Sequence, residues 1–213
     1  MPVTSDAPRV LFYAPRSRAF TALWLLEEMN LEYQLESFDL NSGRHKQEDF
    51  LKLNPMGKVP VLVERGRAVS ELGAIALYLT EQHPMAAMAP PPDNERRPDF
   101  LRWLFFASAI MEPSLGEKFF KWEVPARSVA WGSFQQSTDV LTGAIQPGPW
   151  LLGVRFTAAD VLVASGARFG VLFGAYDKEG PIAEYVARST QRPAFERASA
   201  IERAQAKKLG LDG

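Results

Sequence analysis

The chain has 213 residues, 46% of them hydrophobic and 11% aromatic, which is enough apolar material for one large or two small domains with a buried core. Its formal net charge of −1 gives no electrostatic argument for a nucleic-acid partner, and the absence of cysteine excludes disulfides, thiolate metal sites and cysteine nucleophiles. Two histidines are too few for a zinc site of their own.

Nothing in the sequence suggests a membrane protein or an exported one. No run approaches the roughly 20 apolar residues that a membrane span needs. Residues 1–8 are polar and lack the apolar core of a signal peptide. We therefore expect a cytoplasmic protein with no membrane, metal or nucleic-acid partner.

The first part of the chain has the pattern of a small mixed sheet with helices. Short apolar runs and strict alternation indicate strands, whereas apolar residues at i, i+3 and i+4 indicate helices. In chain order the predicted elements are a strand at 10–13, a helix at 18–30, a strand at 31–36, a short helix at 47–53, a hairpin at 59–63 and 67–69, and a helix at 71–83. A βαβ unit followed by a ββα unit within about 75 residues predicts one sheet covered by helices on both faces.

The rest of the chain is predicted to be entirely helical. Closely spaced prolines make residues 85–94 a linker between domains at 8–84 and 95–208. The predicted helices cover residues 100–111, where Pro113 ends or bends the helix, and residues 129–145, 158–169, 181–189 and 194–208. Thr157 and Asp160 have the spacing of a capping box at the start of the third of these helices, flanked by Phe156 and Val161 as a hydrophobic staple.

Several segments, in this order, resemble the cytosolic glutathione transferase family of bacterial type. The matching segments are residues 12–18 leading into 24–28, 54–60, 70–71 leading into 74–79, 156–160 and 192–195. The resemblance implies an α+β thioredoxin-like N-terminal domain followed by an all-α helical-bundle C-terminal domain. It also implies a homodimeric detoxification enzyme that conjugates glutathione, its co-substrate, to small hydrophobic electrophiles without any other cofactor.

For glutathione itself, the resemblance points to the segment ending at Pro60. It implies a cis bond before Pro60, which would turn the backbone of Val59 toward the peptide of glutathione as an added strand would pair. The alternative from the residues alone is a loop proline that merely starts a strand.

The γ-glutamyl end of glutathione is expected at the turn that follows Ser70. There Glu71 would pair with the amino group of the ligand, and the start of the helix favours its carboxylate. The alternative is simple capping of the helix by Ser70. Family members commonly have serine where this chain has Leu72, so one donor is missing and glutathione affinity is expected to be weak.

The glycine carboxylate of glutathione would need cations. Candidates are the basic cluster Arg44, His45 and Lys46, and the nearby Lys58. The alternative is a solvated charged loop with no role.

The reaction requires a glutathione thiolate, because a thiol is a poor nucleophile. A hydroxyl donor should stand between the first strand and first helix, where Ser17 is the first candidate and Tyr13 the second. Their alternatives are a helix-capping serine and a core aromatic. The serine-using branch of the family often has its serine nearer to Ala14, which leaves the choice open.

The electrophile would meet the first loop and the first long helix of the second domain. The candidate residues are Ala14, Phe105, Phe106, Ala109, Met111 and Arg168. Most residues on such an apolar stripe are core, and an arginine on an apolar helix is more often a surface residue with a buried stem. The competing hypothesis for the whole chain is a noncatalytic glutathione- or ligand-binding protein on the same fold, which Leu72 and Ala14 keep open.

Overall fold

The computed structural model describes residues 9–211, so the predicted absence of a signal peptide in residues 1–8 lies outside the described residues. Residues 9–79 together with 193–211 form one compact unit, and residues 80–192 form a second. No helix within 9–211 combines the length and the apolar character that a membrane span requires.

The first unit is built on a four-stranded mixed sheet. Its strands are β1 (Val10–Tyr13), β2 (Gln34–Ser37), β3 (Val61–Glu64) and β4 (Arg67–Ser70). They lie in the order β2-β1-β3-β4, where β1 is parallel to β2 and antiparallel to β3, and β3 and β4 form the predicted hairpin. The helices of this unit are α1 (Ala19–Glu28), α2 (Glu48–Leu53), α3 (Leu72–Gln82, of which residues 72–79 belong here) and α9 (Pro193–Lys208). The predicted thioredoxin-like pattern is confirmed.

Strand alternation explains how this sheet buries its core. In β1, Leu11 and Tyr13 are fully buried while their neighbours are half-buried. Phe12 projects from the other face, where its ring meets Phe50 of α2 edge-on at 5.6 Å. Phe50 also packs against Phe38 at 5.9 Å, which closes a small aromatic cluster next to the sheet.

The strand registers bring four chain segments to one edge of the sheet. Tyr13 is paired with Ser37 of the parallel neighbour, so β1 and β2 end together. Phe12 is opposite Val61, and Val61 is opposite Ser70. Consequently, the segments that follow β1, β2 and β4 and the segment that precedes β3 all leave the sheet on the same side.

The second unit is helical throughout the part of it that the structure describes. Its helices are α4 (Arg97–Phe105), α5 (Glu112–Phe120), α6 (Phe134–Ile145), α7 (Ala158–Leu172) and α8 (Pro181–Thr190). Helix α6 begins five residues later than predicted. Gly132 takes a left-handed φ of 69°, and the side chain of Ser133 accepts the Gln136 N–H at 3.2 Å, so the cap lies there.

Pro113 does not end the helix that precedes it. Residues 106–111 form a π-helical segment that joins α4 directly to α5, and Pro113 lies in the first turn of α5. Proline lacks the N–H that an α-helix needs and clashes with the carbonyl one turn earlier. The wider π turn ends at Glu112, whose N–H bonds to the Ala107 carbonyl five residues earlier, so the helix continues into α5 with Pro113 in its first turn.

Asp160 is the polar centre of the second unit. It is fully buried, and its carboxylate accepts the N–H groups of Leu151 and Thr157 at 2.9 Å, the Thr157 hydroxyl at 3.0 Å and the Tyr185 hydroxyl at 3.0 Å. The predicted capping box between Thr157 and Asp160 is confirmed. Burial raises the pKa of Asp160, and the four donors offset part of that effect.

Helix α9 returns to the beginning of the chain. Phe195 packs edge-on against Phe20 at 5.5 Å and Trp24 at 5.0 Å, both on α1. Arg197 donates to the Glu27 carboxylate at 2.7 Å and to the Glu27 carbonyl at 2.8 Å. On sequence alone this helix is assigned to the second domain, whereas the helix packs against α1 in the first unit. The boundaries of the two domains remain a prediction.

Candidate functional site

The loop between β1 and α1 contains the first candidate for thiolate stabilisation. Ser17 is half-buried; its hydroxyl donates to the Ala14 carbonyl at 2.7 Å and accepts the Ala19 N–H at 3.1 Å. The serine therefore stabilises the turn before α1, but the N-cap of that helix is Arg18 and not Ser17, which the alternative interpretation expected. Rotation about one side-chain torsion would release its hydrogen from Ala14 and direct it elsewhere, while the start of α1 supplies a favourable field for an anion.

Tyr13, the second candidate, is held in the interior. Its side chain is fully buried, and its hydroxyl donates to the carboxylate of Glu202 on α9. The second oxygen of that carboxylate accepts the Arg16 N–H at 2.7 Å. A hydroxyl already bound to a carboxylate is a poor donor for a thiolate, so the geometry favours Ser17 over Tyr13. Sequence reasoning missed Glu202 entirely.

The turn before β3 is organised by Asn54, whose role the sequence did not predict. The buried side chain of Asn54 donates to the Lys58 carbonyl at 2.9 Å and accepts the Met56 N–H at 3.1 Å. The backbone carbonyl of Asn54 accepts the Gly57 N–H at 2.8 Å. An asparagine before Pro55 is a turn signal that could have identified it. The Val59–Pro60 bond is cis, as the resemblance implied.

The side chain and the backbone of Val59 have different surroundings. The side chain packs against the aromatic cluster around Phe38 and Phe50. Within residues 9–211, no backbone hydrogen bond reaches the Val59 N–H or carbonyl, because β3 begins only at Val61. Such a residue offers a donor and an acceptor to an extended peptide.

The predicted basic cluster divides into groups with different surroundings. The Lys46 ammonium donates to the carbonyls of Gly57 at 3.0 Å and Met56 at 3.3 Å, so it lies on the turn before Val59. The guanidinium of Arg44 instead forms two bonds with Asp49, at 2.9 and 2.8 Å, and holds the pKa of Asp49 below its usual value. Lys46 is therefore better placed than Arg44 to receive a carboxylate at that turn.

The two remaining basic candidates also differ. The His45 ring stacks on Phe38 at 6.4 Å, and its buried Nδ1 has no hydrogen-bond partner among the described residues. Lys58 is exposed. Within residues 9–211 no three His, Asp or Glu side chains come close enough together to hold a metal ion.

Glu71 occupies a strained position at the start of α3. Its φ of 68° is left-handed, which is unfavourable for a residue with a side chain. Its carbonyl accepts the Ile75 N–H at 2.9 Å, so Glu71 and not Ser70 is the cap of the helix, and Ser70 ends β4. The Glu71 side chain is exposed, and the N–H of Leu72 lies in the first helical turn.

The predicted electrophile-contacting residues do not share one environment. Phe106 and Met111 are buried in the second unit, where Phe106 packs against Trp103 at 4.9 Å and Met111 borders Gly166. These two side chains are core, which was their alternative interpretation, because they face α4 and α7. Ala14 is buried in the first unit, whereas Phe105, Ala109 and Arg168 are exposed.

Comparison with known proteins gives one family model and consistent relatives. The model "Glutathione S-transferase, N-terminal domain" matches residues 8–81. The chain is 26% identical to glutathione S-transferase GstA of Escherichia coli O157:H7, over 90% of this chain and 98% of that protein. It is 27% identical to the disulfide-bond oxidoreductase YfcG of Escherichia coli K12, over 71% of this chain and 75% of that one.

A solved structure matches over nearly the same length. A glutathione transferase from Methylococcus capsulatus strain Bath is 28% identical and superposes with a TM-score of 0.76, covering 92% of this chain and 99% of that one. The similarity thus extends beyond the sheet-containing unit to the helices that follow it.

Proposed function

We propose that this chain, a member of the cytosolic glutathione transferase family, joins glutathione to small hydrophobic electrophiles through a stabilised thiolate. One observation carries the proposal: the strand registers place the Ser17 loop, Val59 and Glu71 at one edge of a single sheet. A γ-glutamyl tripeptide thiol requires three kinds of group. They are a hydroxyl donor for its sulfur, a backbone N–H and carbonyl for its peptide, and a carboxylate beside a helix start for its amino group.

Each end of glutathione has a proposed partner in the first unit. The backbone of Val59 pairs with the central peptide, and the Glu71 carboxylate takes the ligand's amino group. The Leu72 N–H and the field of α3 favour the γ-glutamyl carboxylate. Lys46 receives the glycine carboxylate. His45 precedes Lys46 in the chain, and Lys58 follows Met56 and Gly57, whose carbonyls Lys46 contacts. Because Leu72 brings no hydroxyl, glutathione affinity is expected to be modest.

The proposed chemistry uses one proton and one new bond. The bound thiol loses its proton to solvent, and the Ser17 hydroxyl turns from the Ala14 carbonyl to donate to the sulfur anion. The thiolate then attacks an electrophilic carbon, forming a C–S bond as a leaving group departs with its electron pair. Moving the thiol pKa by about two units from its usual 8.5 requires roughly 3 kcal/mol of preferential stabilisation of the anion.

Calorimetric titration of glutathione near neutral pH, in two buffers of different ionisation heat, tests this proposal. Binding with close to one proton released supports the transferase function, because the thiol then ionises in the site. Binding without proton release would favour the noncatalytic binding protein. That alternative is supported by the bond from the Ser17 hydroxyl to the Ala14 carbonyl, because a hydroxyl held there does not donate to sulfur. Absence of binding would contradict the transferase function and would leave only a protein that binds a ligand other than glutathione.

Replacing Glu71 by glycine should separate stability from function. Glycine adopts a left-handed φ without strain, so the Glu71→Gly variant should be about 0.5–1 kcal/mol more stable to unfolding. Losing a bond between charged groups should weaken glutathione binding about 10- to 100-fold. Urea denaturation and calorimetric titration measure the two effects.

Lys121→Gly is the matched control for that variant. Lys121 ends α5 with a left-handed φ of 53° and is exposed in the second unit. The control should gain similar stability and bind glutathione as the wild type does. If Glu71→Gly bound glutathione with unchanged affinity, the role assigned to Glu71 would be wrong.

The remaining parts of the proposal concern the electrophile and the assembly. Phe105, Ala109 and Arg168 stay candidates for contact with the electrophile because they are exposed.

We propose a cytoplasmic homodimer, which light scattering on the purified protein would test: a monomer at micromolar concentration would contradict it.

A further inference from the structure

Glu202 binds two residues that precede Ser17 in the chain and lie 189 and 186 residues before Glu202 itself. One oxygen of its carboxylate accepts the buried Tyr13 hydroxyl at the end of β1, and the other accepts the Arg16 N–H at 2.7 Å. These two donors stand on either side of Ala14 and Pro15, immediately before Ser17. The carboxylate thus holds the base and the tip of the Ser17 loop together.

We propose that Glu202 is a positioning residue, which fixes the loop of residues 14–17 so that the Ser17 hydroxyl can reach the glutathione sulfur. The inference rests on the proposed function, since it assigns the residue that supports the thiolate donor. Glu202 itself touches neither glutathione nor the sulfur in this scheme.

The geometry of the loop explains why an outside contact is needed. The Ser17–Ala14 bond closes the loop on itself and does not tie it to the rest of the unit. Arg16 has a left-handed φ of 59°, a conformation that a residue with a side chain adopts only when its surroundings impose it. The bond from the Arg16 N–H to Glu202 is charge-assisted and anchors the loop to α9 at this strained residue.

The Tyr13 hydroxyl explains why the carboxylate is held in place. A hydroxyl that is fully buried needs an acceptor, and without Glu202 it would be an unsatisfied donor beneath the loop. Burial raises the pKa of Glu202, and the Arg16 N–H offsets part of that rise. Both donors therefore stabilise the same half-buried group.

A second contact between α9 and α1 provides a control on the same helix. Arg197 binds Glu27 about one and a half turns before Glu202, and within residues 9–211 it forms no hydrogen bond or ion pair with residues 14–17. Arg197→Gln should loosen the docking of α9 without touching the Ser17 loop. The pair separates a specific effect on Ser17 from a general effect of helix docking.

The experiment compares the wild type with Glu202→Gln, Arg197→Gln, Ser17→Ala and the double variant Ser17→Ala/Glu202→Gln. For each, kcat and the KM of glutathione are measured with a chloronitrobenzene electrophile, and the pKa of bound glutathione is read from thiolate absorbance. Glutamine keeps one acceptor but turns an amide donor toward the other partner. We expect Glu202→Gln to lower kcat about 10-fold, with KM changed by less than about threefold, because a small displacement of a catalytic group has an effect of this size.

The pattern across variants decides the proposal. Glu202→Gln should raise the thiol pKa. The double variant should have the same kcat as Ser17→Ala alone, because the effects of two residues that act through one group are not additive. Unchanged kcat in Glu202→Gln, additive losses, or an equal loss in Arg197→Gln would overturn the inference. Should Glu202→Gln not fold, Glu202→Asp keeps the charge but shortens its reach, and unchanged kcat there would overturn it equally. A wild type without glutathione binding would instead contradict the proposed function.

Discussion

Ser17→Ala is expected to lower turnover about 100-fold at neutral pH, the typical effect of removing one donor to a reacting anion. The dissociation constant of glutathione should rise only about fourfold at pH 7, the part of the affinity linked to ionisation of the thiol, because the ligand's peptide and charged ends are bound elsewhere. Without the hydroxyl, the bound thiol should titrate near its free value of about 8.5. Steady-state kinetics and thiolate absorbance as a function of pH measure both effects.

A control is needed because the Ser17 hydroxyl also accepts the Ala19 N–H, so its loss weakens the start of α1. Ser133→Ala removes the hydroxyl at the N-cap of α6, which accepts the Gln136 N–H at 3.2 Å. Ser133→Ala should lose about 1 kcal/mol of stability, the usual effect of a lost cap, and Ser17→Ala should lose no more than that. Only Ser17→Ala should lose activity, and full turnover in that variant would remove Ser17 from the mechanism.

The largest effect on stability is expected at Asp160. Asp160→Ala leaves two backbone N–H groups and the Thr157 hydroxyl buried without their acceptor, and it leaves the Tyr185 hydroxyl only the longer of its two bonds, the one to the Asp160 carbonyl at 3.4 Å. Losses of this kind lower the free energy of unfolding by about 3–5 kcal/mol. In a chain of this size, the melting temperature should fall on the order of 10 °C. Urea denaturation and calorimetric melting give the two values.

Asp139→Ala is the matched control for Asp160. Asp139 is an exposed carboxylate on α6 that accepts one bond from the Gln135 amide at 2.8 Å. Its removal should change stability by less than about 0.5 kcal/mol, as is usual for surface positions. If Asp160→Ala unfolded at the same urea concentration as Asp139→Ala, the four bonds to Asp160 would not have the importance assigned to them.

The elements of the first unit could be predicted because their signals are local. Leu11 and Tyr13 alternate with half-buried neighbours in β1, and Arg65-Gly66 marks the turn between β3 and β4. The same is true of the capping box at Thr157, whose two members are three residues apart. In each case the residues that determine the structure are neighbours along the chain.

The features that sequence reasoning missed depend on distant or subtle partners. Glu202 is one of several charged residues on α9, and nothing in its local pattern points to Tyr13, 189 residues earlier. Pro113 signals a disturbed helix but not its form, since a break, a bend and a π turn all accommodate proline. Asn54, which precedes Pro55, is a turn signal that predicts the turn before β3 but not the bonds that its side chain forms.

The candidate site was predicted in outline only. The resemblance located the Ser17 loop, the cis bond before Pro60 and the turn at Glu71, all of which are read from short motifs. It could not separate Ser17 from Tyr13, because that choice depends on what the Tyr13 hydroxyl binds. Likewise, Arg44 and Lys46 look equivalent until Asp49 is placed beside one of them.

The return of α9 to α1 has a consequence for synthesis on the ribosome. The strands and α1 emerge first, but the aromatic contacts of Phe195 and the acceptor for the Tyr13 hydroxyl are supplied by α9, which is translated much later. At typical elongation rates the gap between residues 79 and 193 takes on the order of ten seconds. During that interval the nascent first unit exposes the apolar face of α1, so a chaperone that shields such faces would act on this chain before α9 has emerged.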